Sequence, residues 1–288
     1  MAKKPVQEKK EVETTGHEWD GIKEYNNPMP RWWVWTFYAT IIWAIGYTIL
    51  YPAWPISKNG ATPGLLGWST RGDVAADIQK FTDMNADLNA KLASVDLATI
   101  KDDPALNNYA VQYGRATFAT FCSQCHGSGA AGAKGYPNLL DNDWLWGGDI
   151  EAIHTTITHG IRSAADEDTR LGDMPAWGDM LEEEELDSVI EYVVSLAGGE
   201  ADPAMVEEGK VVFEDNCAAC HGDNAEGNRD LGAPNLTDAI WLYGSDREAI
   251  TETITKGRAG VMPNWNAKLS ESQIAAVTAY VHQLGGGE

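Results

Sequence analysis

The clearest pattern along the chain is a run without charge from Trp32 to Ser57. Its centre, Trp32–Tyr51, is almost wholly apolar, and twenty helical residues reach about 30 Å, the thickness of a bilayer's hydrocarbon core. Trp32, Trp33 and Trp35 crowd one end and Tyr47, Tyr51 and Trp54 the other, as aromatic belts do at the two membrane interfaces. Pro52 and Pro55 then stop the helix. A cleavable signal peptide fits poorly, because the run is long, starts late and lacks a small-residue cleavage site. We therefore expect an uncleaved anchor over 32–56, behind an N-terminal segment 1–31.

Residues 58–72 are rich in Gly, Pro, Ser and Thr and read as a linker. From 73 to 100, Val74, Ile78, Phe81, Leu88, Leu92, Val95 and Leu97 recur with helical rhythm. The stretch 57–104 is thus expected to be a linker and a connecting helix. Further on, apolar periodicity predicts helices over 107–121, 149–159, 181–196, 203–216, 246–256 and 270–284. Ser270 followed by Gln273 is a capping-box pattern. The acidic run Glu182–Glu185 suits a helix N-terminus, where the macrodipole favours negative charge.

The helices repeat. Cys122-Ser-Gln-Cys-His126-Gly matches Cys217-Ala-Ala-Cys-His221-Gly, and Pro137-Asn-Leu139 matches Pro234-Asn-Leu236. Trp144-Leu-Trp-Gly147 lies over Trp241-Leu-Tyr-Gly244. After an acidic insert at 163–172 in the first copy, Met174-Pro-Ala-Trp177 matches Met262-Pro-Asn-Trp265. Two copies of one unit predict two similar domains, 105–200 and 201–288, with a turn-rich hinge at 197–203.

All four cysteines of the chain sit in the two Cys-x-x-Cys-His motifs, the pattern of covalent c-type haem attachment. Two thiols three residues apart reach the macrocycle edge, and the next residue, His126 or His221, faces the iron. Zinc would need further Cys or His ligands at matching spacing. A thioredoxin-like pair would sit in a βαβ setting that the helical pattern lacks. A sixth iron ligand is expected from Met174 and Met262, the methionines matched between the repeats, each stiffened by the following Pro. His154 and His159, whose counterparts are Thr251 and Lys256, are rival ligands in the first copy. Met84, Met180 and Met205 read as packing or surface residues, and His17 and His282 as surface residues.

Charge changes the picture twice. Of 288 residues, 21 are Lys or Arg and 43 Asp or Glu, a net charge of −22, which excludes a nucleic-acid binder relying on a basic face. Residues 1–57 hold six bases (Lys3, Lys4, Lys9, Lys10, Lys23, Arg31) and six acids, so the whole excess lies beyond the anchor. Only Lys58 and Arg71 follow the span closely, so the positive-inside rule puts the N-terminus in the cytoplasm and the rest outside, in the periplasm of a Gram-negative cell.

Two Cys-x-x-Cys-His domains with Met-Pro-x-Trp loops behind an N-terminal anchor resemble the diheme cytochrome c subunit of cbb3-type cytochrome c oxidases. The segment Gly16-His-Glu-Trp-Asp-Gly-Ile-Lys-Glu-Tyr-Asn-Asn-Pro-Met-Pro-Arg31 is similar to that family's entry signature. The resemblance implies an all-α chain, one transmembrane helix followed by two tandem class I cytochrome c domains. It implies two covalently bound haem c groups, one held by Cys122, Cys125, His126 and Met174 and the other by Cys217, Cys220, His221 and Met262. It implies a single-pass protein of the bacterial inner membrane, partnered by the catalytic and monoheme cytochrome subunits of the oxidase and by a soluble or anchored cytochrome c donor. The chain would relay electrons and hold no oxygen-reducing centre; the span has no His to ligate a b-type haem. A tethered carrier for a dehydrogenase or photosynthetic chain, a diheme peroxidase and a gas sensor are the competing readings.

Overall fold

The computed structural model describes residues 12–56 and 60–288. Lys3, Lys4, Lys9, Lys10 and Lys58, which carry much of the expected topology signal, lie outside the described residues. The chain divides after Met84 into two compact units, Met1–Met84 and Asn85–Glu288.

The first unit begins with a hairpin that the helical pattern did not foretell. Strands β1 (Thr14–Trp19) and β2 (Ile22–Tyr25) pair antiparallel, with Trp19 opposite Ile22 and Glu18 opposite Lys23. The two-residue turn Asp20-Gly21 has φ of 51° and 82°, the positive values that a tight hairpin turn needs. Helix α1 (Arg31–Leu50) is the expected anchor, with a mean hydropathy of 1.4 and no buried residue. The hydroxyls of Thr36, Thr40 and Thr48 donate to the carbonyls of Trp32, Phe37 and Ile45. The threonine hydroxyls are thereby satisfied within the helix, as a lipid environment requires. The chain then turns back: the amides of Leu65 and Leu66 donate to the carbonyls of Ile49 and Leu50, closing the helix end. Helix α2 (Thr70–Met84) carries Val74, Ile78 and Phe81 on one stripe, and all three are exposed. Periodicity here reports the helix, not what covers it.

The second unit is all helical. It contains α3 (Ala86–Leu92), a 3₁₀ turn (Leu97–Asp102), α4 (Pro104–Phe121), a single turn α5 (Ser123–His126) and α6 (Ile150–His159). After a 3₁₀ turn at Trp177–Asp179 come α7 (Glu183–Leu196), α8 (Pro203–Asn216), the single turn α9 (Ala218–His221), α10 (Arg247–Lys256) and α11 (Glu271–His282). Local chemistry sets the starts of these helices. Asp103 and Asp202 accept the amides of Ala105 and Ala204 ahead of Pro104 and Pro203, and Asp149 and Asp246 cap α6 and α10 alike. Ser270 and Gln273 form the expected capping box.

The supposed linker 57–104 divides at the unit boundary. Leu92, Leu97 and Ile100 are buried with Leu106 and Ala110 of α4 and Ala275, Ala276 and Ala279 of α11. Residues 86–102 are therefore part of the globular body, because their apolar stripe finds a helix pair to cover.

The two remaining cores show how the repeats are assembled. One gathers Phe118, Ile153 and Ile157 from the first repeat with Ile274, Val277 and Val281 from the end of the second. The other gathers Val189, Ile190, Val193 and Val194 from the end of the first repeat with Phe213, Ile250 and Ile254 from the second. Thus α4 packs on α11, and α8 packs on α7. The expected sequential domains 105–200 and 201–288 are not how the cores are built: the closing helices are exchanged. The physical reason is the short link 197–202, which makes α7 and α8 antiparallel neighbours. That link is pinned by Glu191, whose carboxylate accepts from the Asp202 amide (2.9 Å) and pairs with the Arg247 guanidinium; Arg247 also donates to the Glu200 carbonyl at 2.8 Å. With α7 so taken, α11 is what remains to cover α4.

Each helix pair closes on one glycine. A Cβ on Gly114 would sit 2.1 Å from the Ala276 carbonyl oxygen and 2.7 Å from the Tyr280 Cβ. A Cβ on Gly209 would sit 1.9 Å from the Ser188 carbonyl oxygen and 3.0 Å from the Tyr192 Cβ. The two contacts occupy matching positions of the repeats.

Gly114→Ala or Gly209→Ala must therefore force a helix pair apart. Denaturant unfolding should show a loss of about 2–3 kcal/mol for each, whereas Gly129→Ala, with nothing within 4 Å of the added carbon, should unfold as the parent does. The hinge gives a pH signature. Arg247 holds the Glu191 carboxyl below the ordinary glutamate range, despite an opposing contribution from partial burial. Because the folded pKa lies below the unfolded one, the stabilisation is complete above the unfolded pKa and disappears as pH falls through the folded value. Glu191→Gln should cost about 0.5–1 kcal/mol near pH 7, the range for a pair that solvent reaches on its Arg247 side, and nothing once both states are protonated.

Candidate haem-binding sites

Each Cys-x-x-Cys-His motif is a one-turn continuation of the helix before it. The Cys122 amide donates to the Phe118 carbonyl and the His126 amide to the Cys122 carbonyl (3.0 Å); Gly127, at φ 78°, then ends the turn. Cys217, His221 and Gly222 repeat this arrangement, with the His221 amide 3.0 Å from the Cys217 carbonyl and φ 79° at Gly222. The four thiols are unbridged; Cys125 and Cys220 are exposed, Cys122 and Cys217 half-buried. Burial, with the neighbouring thiol adding to it, pushes Cys122 and Cys217 up to about 11. Both are therefore neutral thiols at physiological pH.

The two imidazoles are oriented identically. His126 Nδ1 lies 3.1 Å from the Pro137 carbonyl oxygen, and His221 Nδ1 lies 3.1 Å from the Pro234 carbonyl oxygen. A carbonyl can only accept, so Nδ1 carries the proton and Nε2 keeps a free lone pair, the arrangement usual for a metal-ligating His. Burial lowers both histidines' pKa against the weaker pull of that carbonyl, which keeps the rings neutral. The loops between motif and proline are closed by Leu139 and Leu236, whose amides donate to Ala130 and Ala225 at 2.8 Å. Those alanines adopt left-handed φ of 60° and 58° at equivalent positions.

The methionines are where the structure corrects the expected grouping. Met262 belongs to the core that includes Cys122, and Met174 to the core that includes Cys217. Met262 and Ile161 exchange two backbone hydrogen bonds (3.0 and 2.9 Å), as do Met174 and Arg258 (both 2.9 Å). Each methionine loop is thus zipped to the end of the other repeat's central helix. Gly160 and Gly257, at φ 71° and 70°, allow this, since a Cβ on either would lie 2.4 Å from the Met262 or Met174 carbonyl oxygen. Met174 is not brought together with Cys122 and His126, nor Met262 with Cys217 and His221. The repeat alignment paired them by order along the chain, and the exchange of α7 and α11 undoes that order.

A cavity of about 800 Å³ shows what such a grouping makes. Cys217, Cys220, His221 and Met174 all line it, with Trp177, Val193, Phe213, Leu236, Trp241 and Ile254 as apolar walls. Tyr136 and Pro137 of the other lobe close one side. The volume lies in the range of cofactor pockets. The chemistry of the lining fits a flat apolar macrocycle holding iron: two thiols, an imidazole nitrogen and a thioether among apolar walls.

Three arginines that sequence reading passed over stand near the sites. Arg162 and Arg258 line the cavity; Arg258 lies 4.2 Å over the Tyr243 ring and donates through Nε to Thr253 Oγ1 at 3.0 Å. Arg170, from the acidic insert, lies 5.2 Å over the Trp146 ring and donates to Thr156 Oγ1 at 2.9 Å. Thr156 matches Thr253 and Trp146 matches Tyr243, so the same cluster is built twice. Its arginine comes from different places in the two alignments, which is why the repeat hides it. Of the rival histidines, His159 uses Nδ1 on Asp166 at 3.0 Å, and His154 is half-buried beside Glu151, its pKa lowered by burial.

A paired first and last helix around a Cys-x-x-Cys-His turn, built twice behind an apolar anchor helix, defines a membrane-anchored c-type cytochrome with two cytochrome c-type domains. Comparison with known families agrees. Residues 11–58 match the N-terminal domain of cytochrome oxidase-cbb3, FixP, and residues 110–193 and 204–281 match cytochrome c oxidase, cbb3-type, subunit III. The chain is 59% identical over 291 residues to the cbb3-type cytochrome c oxidase subunit CcoP of Cereibacter sphaeroides, covering 100% of both. It is 54% identical over 298 residues to subunit CcoP of Rhodobacter capsulatus, again covering 100% of both. Subunit FixP of Azorhizobium caulinodans is 52% identical over 276 residues, 96% of this chain and 94% of the relative. The chain belongs to the CcoP/FixP family, the subunit III cytochromes of cbb3-type cytochrome c oxidases, and its cofactor is haem c.

Proposed function

We propose that the chain holds two haem c groups with exchanged ligand sets and relays electrons from a c-type cytochrome to the catalytic subunits of a cbb3-type oxidase. One group is held by Cys122, Cys125, His126 and Met262, the other by Cys217, Cys220, His221 and Met174. The observation that carries this reading is the single cavity on which Cys217, Cys220, His221 and Met174 converge. The matching environment of His126, with Met262 in the same core as Cys122, extends it to the other lobe.

Haem c bound in these sites supplies an iron that gains and gives up one electron. The chain does the rest. Pro137 and Pro234 orient the imidazoles; the buried, neutral rings present Nε2 on one side. Met174 and Met262, on loops fixed at their backbones, would each supply a thioether beside a histidine, a pair that would favour a high potential. With iron so held, neither site would leave a coordination position for oxygen, and Phe118, Phe213 and the apolar walls would keep water out. Tyr136 and Pro137 of one lobe line the cavity of the other, which supports transfer between neighbouring sites.

The charge distribution supports the placement. Six bases precede the uncharged run that begins at Trp32 and two follow it closely, so we place the N-terminus in the cytoplasm and the cytochrome domains in the periplasm. The acidic excess beyond the anchor suits a basic soluble donor, and the monoheme and catalytic oxidase subunits are the natural acceptors.

The ligand sets can be told apart in full-length chain carrying one haem. With Cys122 and Cys125 changed to Ser, Met174→Leu should abolish the near-infrared band of methionine-ligated ferric haem, and Met262→Leu should leave it. Sequential pairing would give the reverse. In the intact oxidase, oxygen uptake driven by reduced basic cytochrome c should slow as ionic strength rises, because screening removes the attraction; a rate independent of salt would refute electrostatic docking.

A further inference from the structure

The repeats differ most in two places. The first copy has the insert 163–172, and the second has Asn264 and Asn266 where the other methionine loop has Ala176 and Gly178. In the folded chain these differences meet. The buried Ser163 hydroxyl donates to Asn264 Oδ1 at 2.8 Å, and the Asn264 amide reaches back to Ser163 Oγ at 3.4 Å. Asn264 Nδ2 donates to Asn266 Oδ1 (2.6 Å), and Asn266 Nδ2 donates to Asp166 Oδ2 (2.5 Å). Asp166 also accepts from His159 Nδ1 (3.0 Å) and from the Asp168 amide (2.9 Å). Thr169 Oγ1 accepts the Ser163 amide, and Arg162 Nε donates to the Gly260 carbonyl at 2.7 Å. Residues 260–266, the loop that carries Met262, are therefore held on one flank by Arg162, just before the insert, and on the other by side chains of the insert.

Two departures from a repeat, each unexplained alone, thus form one structure. We propose that the insert is a brace for the Met262 loop: Asp166, joined to His159 and Asn266, and Ser163, joined to Asn264, fix the loop so that the Met262 thioether is harder to displace than that of Met174. Ala176 and Gly178 give the Met174 loop no side chains for an equivalent grip. Asp166 and Ser163 are positioning residues that act through the loop and not on the ligated group. The proposal rests on the reading that Met262 is an axial ligand. It accounts for an acidic segment that would otherwise be a solvated loop, and for the placement of His159, whose Nδ1 serves the brace. Loss of the bonds that Asp166 accepts should let the loop go roughly tenfold more often, about 1.4 kcal/mol.

The test uses the full-length haem-loaded chain and imidazole as the displacing probe, following loss of the near-infrared methionine–iron band. In a Met174→Leu background the remaining band reports Met262 alone. There, Asp166→Ala should speed the displacement by about tenfold, and a Ser163→Ala/Asn264→Ala pair should speed it comparably. Asp166→Asn, which keeps an oxygen for Asn266, should stay much closer to the parent. In a Met262→Leu background, where the band reports Met174, Asp166→Ala should change nothing. An unchanged rate in the first background overturns the brace, as does an equal acceleration in both, which would mean general loosening. Absence of any band in the Met174→Leu background would instead remove Met262 as a ligand, and the brace with it.

Discussion

The cytochrome body depends on a helix crossing made twice, at Gly114 against α11 and at Gly209 against α7. Only a residue without a side chain lets the backbones approach so closely, and the partners at both crossings are a carbonyl oxygen and a tyrosine Cβ. Everything functional hangs from these crossings. The helix on one side runs directly into a Cys-x-x-Cys-His turn; the helix on the other follows directly from a methionine loop. Bringing the two together therefore brings thiols, imidazole and thioether to one core.

Because α7 and α8 are joined by a short, pinned link, the crossing at Gly209 is local in sequence, and that at Gly114 spans almost the whole body. The inner lobe is continuous from the Met174 loop to α10. The outer lobe is assembled from the two flanks, α4–α6 and the Met262 loop with α11, and it also carries the 86–102 segment. Neither lobe can complete its core without residues of both repeats. This interlocking ties the two Cys-x-x-Cys-His turns into one body.

The electrostatics are divided between interior and surface. Inside, burial keeps the histidines and the Cys122 and Cys217 thiols neutral, and single carbonyls set the orientation of the rings. Arg170 and Arg258 rest on aromatic rings and threonine hydroxyls, and Arg162 donates to backbone carbonyls. Outside, the acidic excess lies beyond the anchor and away from the first 57 residues. The same division explains why the anchor's polar hydroxyls turn back onto their own helix while the body's are free to cap and brace.

The sequence by itself determined whatever depends on neighbours along the chain. The apolar run dictated α1, the aspartates and Ser270 dictated helix starts, and the spacing of cysteine and histidine dictated both attachment turns, because one helical turn is a local object. The Asp20-Gly21 hairpin is a local object of the same kind, made by a turn pair that accepts positive φ. Only the tertiary structure decided which methionine shares a core with which motif. Met174 and Met262 look equivalent in every local respect, and their assignment follows from the packing of α7 on α8 and α11 on α4, an outcome set by a six-residue link and a close glycine contact rather than by any pattern around the methionines. It also decided that Leu92, Leu97 and Ile100 are core, that Val74, Ile78 and Phe81 are exposed, and that an acidic insert and two asparagines nearly a hundred residues apart meet. Those facts concern which surfaces touch, and a one-dimensional pattern records only which surfaces exist.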